Sequence, residues 1–143
     1  MELLGPITYT EEETEYGKAI QRATGKPEVG MDGEVHEFKE TEDLPGGGST
    51  DVGDVSWNVP NINLGVTVAP KDTPWHSWAV VACGGMSIGH KGMIHASKAM
   101  GLTMFDLFKD PKLVDKVKEE YKTRKGDEKY EAMIDGPPPI PGK

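Results

Sequence analysis

The sequence predicts an α/β fold, in which a few strands of a mixed sheet are flanked by helices. Asn61 to Ala69 alternates, setting Ile62, Leu64, Val66 and Val68 on one face, as a strand with one buried side requires. Trp78 to Cys83 is a short unbroken apolar run, the pattern of a strand covered on both faces. Before and after these two segments, apolar residues recur at helical spacing.

The first helix is marked by Thr10 and Glu13, spaced as a capping box, and by Tyr16, Ala19, Ile20 and Ala23 on one stripe, which ends at Gly25-Lys26-Pro27. Residues 28–44 then carry acidic side chains at 28, 32, 34, 37, 40, 42 and 43 against the lone Lys39, and are expected to be a solvated connector. Leu44 to Trp57 is dense in glycine yet holds Asp51, Asp54 and a tryptophan. Its Gly46-Gly47-Gly48-Ser49-Thr50 stretch lacks the lysine that a phosphate-binding loop needs. The two expected strands are joined by Pro70 to Ser77, a loop fixed by two prolines, with His76 placed at a strand end, where α/β proteins collect their sites.

Beyond the second strand, Ser87 is expected to cap a helix carrying Met93, Ile94, Ser97 and Met100 and closed by Gly101. Gly89 and Gly92 in its first turns each cost about 1 kcal/mol relative to alanine. Such a sacrifice implies a close approach by a neighbouring segment. Thr103 with Asp106 predicts a short helix. Asp110-Pro111 predicts the start of another, with Leu113, Val114, Val117 and Tyr121 as its apolar stripe before Gly126. The end from Gly136 is proline-rich and expected to be extended.

The formal charge of −8 argues against a nucleic-acid partner, which requires clustered Lys and Arg. No run approaches the ~20 apolar residues that span a bilayer, and the first residues lack a leader pattern, so a cytoplasmic protein without membrane association is expected. Cys83 is the only cysteine, which excludes an intrachain disulfide.

Gly85-Met86-Ser87-Ile88-Gly89 matches the G-x-S-x-G pattern of a nucleophile elbow. In the fold that owns this motif the triad runs serine, acid, histidine, whereas His90 and His95 here precede every later acid. A serine hydrolase using Ser87 therefore ranks third among the functions considered. The histidines His36, His76, His90 and His95 form no metal signature of their own, since a five-residue step from His90 to His95 misses the i, i+4 face of a helical pair. Prolines fix the His76 loop, Trp75 and Trp78 can exclude water there, and the aspartates at 51 and 54 could orient an imidazole.

Three stretches taken together, GGGSTDVGDVSWNVP, TPWHSW and SIGHKGM, resemble the C-terminal part of p-aminobenzoyl-glutamate hydrolase subunits and related aminoacylase-type metalloamidases of the dinuclear zinc exopeptidase superfamily. GPITYTEEETEYGKAIQ is also similar to the segment in which such chains return from a lid domain to the catalytic domain. The resemblance covers most of residues 1 to 110. It implies the C-terminal portion of a three-layer α/β/α catalytic domain, present as a partial domain. Residues 1–27 would be the returning helix, 28–44 the acidic connector, 45–135 the catalytic part and 136–143 the tail. It further implies hydrolysis of an acyl-amino acid amide such as p-aminobenzoyl-glutamate, with two divalent metal ions, zinc or manganese. His76 falls on the family's last metal ligand. Ser49, Thr50, Asp51, Asp54 and His90 fall on substrate-loop or metal-supporting positions.

The other metal ligands and the general-base glutamate of that family have no counterpart in this chain. Resemblance therefore implies a C-terminal fragment, inactive alone and weak or empty in metal. Its partners would be the N-terminal portion of the enzyme, a small acyl-amino acid, and a related second subunit or further copies of itself. The alternative is a non-catalytic scaffold or interaction module.

Overall fold

In the computed structural model, residues 2–36, 50–132 and 136 are described. Ser49, the acidic stretch from 37 onward and the proline-rich end from 137 lie outside them. The described residues form a 3-10 turn at Glu2–Leu4 and five helices: α1 (Glu11–Ala23), α2 (Val52–Ser56), α3 (Trp78–Gly84), α4 (Ser87–Lys109) and α5 (Pro111–Lys125). No strand occurs among them, which overturns the expected mixed sheet and α/β class.

Both expected strands fail for identifiable reasons. Trp78–Gly84 is helical because Ser77 caps it: the Ala79 amide donates to the Ser77 hydroxyl at 3.3 Å, and Ser77 donates to the Pro74 carbonyl at 2.5 Å. A run of six apolar residues suits a buried strand or a short buried helix equally, and the cap decides. Residues 61–69 form no ladder with any described segment, so their alternation marks no sheet face. Ile62 and Leu64 are exposed, and only Ala69 at the end of the segment is buried.

The chain divides into two units, Met1–Thr41 with Leu64–Lys109, and Glu42–Asn63 with Asp110–Lys143. In the first unit α1 begins as its sequence dictates. The Glu13 amide donates to the Thr10 hydroxyl at 3.2 Å and the Thr10 amide donates to the Glu13 carboxylate at 2.7 Å, so both halves of the capping box are made. Further along α1, the fully buried Gln21 side chain accepts from the Gly30 amide (2.8 Å) and donates to the carbonyls of Gly30 (3.3 Å) and Lys71 (3.0 Å). Those bonds satisfy a buried amide and tie the returning chain to the helix. Apolar packing is modest: Ile20, Ala69, Ala79, Cys83 and Ile88 form the cluster, with Tyr9, Tyr16, Met31 and Ala82 half-buried around it.

Helix α4 runs through Gly101, merging the two helices expected there. Its buried positions are Ile88, Gly89, Gly92 and Ala99, whereas Met93, Ile94 and Met100 are exposed. Apart from Ile88, the inward face is thus made of small residues. A Cβ at Gly92 would lie 2.5 Å from the Thr67 carbonyl oxygen and 2.6 Å from Val68 Cγ1, and one at Gly89 would strike the carbonyls of Cys83 and Gly84. These two glycines admit the 66–69 segment and the end of α3 against the helix. The approach that the sequence implied is real.

In the second unit, Asp110 caps α5 by accepting from the Lys112 amide at 3.0 Å, and Pro111 occupies the first turn, where its missing N–H costs nothing. Leu113, Val114, Val117 and Tyr121 are half-buried along one stripe. The Trp57 carbonyl accepts from Tyr121 Oη (2.6 Å) and Lys125 Nζ (2.8 Å), satisfying the end of α2. The helix stops before Gly126, which takes φ 61°.

Candidate functional site

Helix α4 carries two rows of side chains at i, i+4 spacing, Ser87, Lys91 and His95 on one, and His90, Ile94 and Lys98 on the other. Together with Leu4, Pro6, Ile7 and Thr8 they line an open groove of about 490 Å³. The first row meets α1. Ser87 Oγ donates to Glu13 Oε1 at 2.6 Å, and Lys91 Nζ donates to Glu13 Oε2 at 2.5 Å and to the Thr8 carbonyl at 2.9 Å. The Lys91 ammonium also lies 5.6 Å from the centre of the Tyr9 ring.

Glu13 is only 7% exposed, and burial alone would disfavour its charge. The hydrogen bond from Lys91, then that from Ser87, outweigh burial and hold its carboxyl at about 2. Burial, with the charges of Glu13 and Asp32 added, pushes the Tyr9 phenol up to about 12. This geometry bears on Ser87 directly. Its hydroxyl is spent on a carboxylate too weakly basic to take a proton, and no imidazole is bonded to it among the described residues. Ser87 is also the first residue of α4 rather than its cap. It links two helices.

His95 lines the same groove and has a buried Nε2 without a hydrogen-bond partner among the described residues. Such an atom costs about 1–3 kcal/mol when left unpaired, and its tautomer is set by what it meets. His90 is exposed beside it.

The remaining sequence-predicted site residues fall elsewhere. His76 is exposed in the turn before α3, with φ 60°, a left-handed conformation uncommon outside glycine. It is followed by the Ser77 cap and flanked by the exposed Trp75 and Trp78. Thr50, Asp51 and Asp54 belong to the second unit, whereas His76 and His90 belong to the first. The Thr50 hydroxyl accepts from the Val52 amide at 3.4 Å, Asp51 stands at the start of α2 without a side-chain cap bond, and Asp54 accepts from Tyr130 Oη at 2.6 Å. The bond to Asp54 raises the Tyr130 phenol above its ordinary range. His36 pairs with Asp32 at 3.1 Å.

Among the described residues, no three His, Cys, Asp or Glu side chains are gathered as a metal ion needs. The donors present do not by themselves fit the two-metal centre implied by resemblance. Sequence spacing missed Glu13 and Lys91 as a pair, because 78 positions separate them. The one available signal was Glu13 in its capping box, which accounted for a single oxygen.

No helix among the described residues is long and apolar enough to cross a membrane. No family model matches the chain, and no solved structure matches it. Among curated proteins the similarity is to a hydrolase. That relative is a p-aminobenzoyl-glutamate hydrolase subunit of Escherichia coli (strain K12), 38% identical over 86 residues. The match takes in 60% of this chain and 18% of the relative, so the chain spans under a fifth of that protein's length.

Proposed function

We propose that this chain is part of an amidohydrolase acting on acyl-amino acids of the p-aminobenzoyl-glutamate type. The observation that carries this reading is the 38% identity to a hydrolase subunit over 86 residues. In this reading His76 is the one metal donor the chain brings, exposed at a turn where a further polypeptide can reach it. The remaining donors and the general base must come from sequence outside these 143 residues. Thr50, Asp51, Asp54 and the neighbouring Ser49 are assigned to the substrate side, and zinc or manganese is the metal class. A single imidazole does not hold a metal at working affinity, so no catalytic step is assigned to this chain alone.

The second reading is a non-catalytic interaction module, which a chain without a gathered donor set among its described residues also fits. One experiment separates them. The chain is co-expressed with the N-terminal portion of the Escherichia coli relative, and glutamate release from p-aminobenzoyl-glutamate is measured with zinc or manganese supplied. Release by the assembly, abolished by His76→Ala, supports the enzyme reading. Assembly without release supports the module, and release that survives His76→Ala removes His76 from the site.

A further inference from the structure

We propose that the groove between residues 4–8 and the first three turns of α4 binds the carboxylate of a small ligand. Its lining gathers two lysines and two histidines in a chain whose formal charge is −8. Lys91, Lys98, His90 and His95 all border it, and no Asp or Glu among the described residues does. These side chains are not equally committed. Lys91 is engaged by Glu13 and Thr8, but the side chains of Lys98 and His90 make no hydrogen bond or ion pair among the described residues. His95 adds the buried Nε2 that lacks a partner.

A carboxylate entering here would meet Lys98 or His90, two uncommitted donors about two turns apart on the same face of α4, with apolar walls from Leu4, Pro6 and Ile94 for the rest of the molecule. The groove volume, about 490 Å³, lies in the range of small-molecule sites. Glu13 does not fill this role, because both its oxygens are already taken by Ser87, Lys91 and the Thr10 amide. The choice of a carboxylate over other anions rests on the acyl-amino acid reading, whose amino-acid half carries that group; the uncommitted Lys98 and His90 side chains stand without it.

The test is a backbone-amide NMR titration of the 143-residue chain with glutarate, set against inorganic phosphate and sodium chloride. Glutarate is expected to give saturable shifts at His90, Lys91, His95 and Lys98 with about millimolar affinity. Lys98→Gln and His90→Gln change exposed side chains, so both chains should keep the helical circular dichroism of the parent. Each is expected to weaken glutarate about tenfold, as loss of one charge-assisted bond does, while Lys118→Gln on α5 leaves it unchanged. Shifts that do not saturate, that sodium chloride reproduces, or that survive both substitutions overturn the site. Phosphate binding more tightly than glutarate overturns the carboxylate assignment. Because binding is read without turnover, a failed hydrolysis assay leaves this outcome independent.

Discussion

Replacing Glu13 by glutamine removes the charge that joins α1 to α4 while keeping the side chain's size. In the folded chain the carboxyl is lowered from 4.5 to about 2, first by Lys91, then by Ser87. A shift of that size corresponds to at most about 3 kcal/mol of stability. Solvent reaches the Lys91 side chain, which is 34% exposed, so screening reduces the expected loss to about 1–2 kcal/mol. The sign in pH follows from the direction of the shift. Between about pH 2 and 4.5 the unfolded chain binds the proton and the folded chain does not, so stability rises with pH through that window. The contribution is complete above about pH 5 and lost as acid approaches pH 2. Urea unfolding of the two chains, followed by far-ultraviolet circular dichroism near neutrality and at about pH 3, measures both effects. Glu13→Gln should be less stable near neutrality and should lose less on acidification. Equal stability of the two chains near neutrality, or parallel losses in acid, would refute the assignment.

Two further outcomes follow from packing. Gly92→Ala forces a methyl group against the Thr67 carbonyl and Val68, and should destabilise the chain by about 1–3 kcal/mol in the same unfolding assay; a change below about 0.5 kcal/mol would show that the contact gives way freely. Cys83 is fully buried and its thiol is pushed up by burial, so it should resist a thiol reagent at mildly alkaline pH in the folded chain and react promptly in urea; equal rates in both conditions would contradict its placement.

The helices with polar boundary signals were legible in the sequence, and the long-range links were not. Thr10 with Glu13, and Asp110 with Pro111, announce helix starts within a few residues, because the chemistry of a cap is local. Gly89 and Gly92 announced a close approach without saying by what. The apolar run at 78–83 carried no period able to separate strand from helix, and Ser77 settled it. On α4 the residues that marked the helix in the sequence, Met93, Ile94, Ser97 and Met100, are exposed, and the structure buries Ile88, Gly89, Gly92 and Ala99 instead, since the glycines allow backbone to approach backbone. Of the candidate site, His90 was placed at a helix start as expected. The Glu13–Lys91 ion pair was invisible because it joins residues far apart in the chain.

The inward face of α4 has a thermodynamic consequence. Glycine and alanine bring helix and loop together while removing little hydrocarbon from water, and among the described residues the buried cluster they join includes only Ile20 and Ile88 as large aliphatic members. Heat-capacity change on unfolding scales with the apolar surface released, so this unit should fall below the usual ~12–15 cal/mol/K per residue. Its free-energy curve against temperature would then be shallow, melting gradually when warmed and yielding little when chilled.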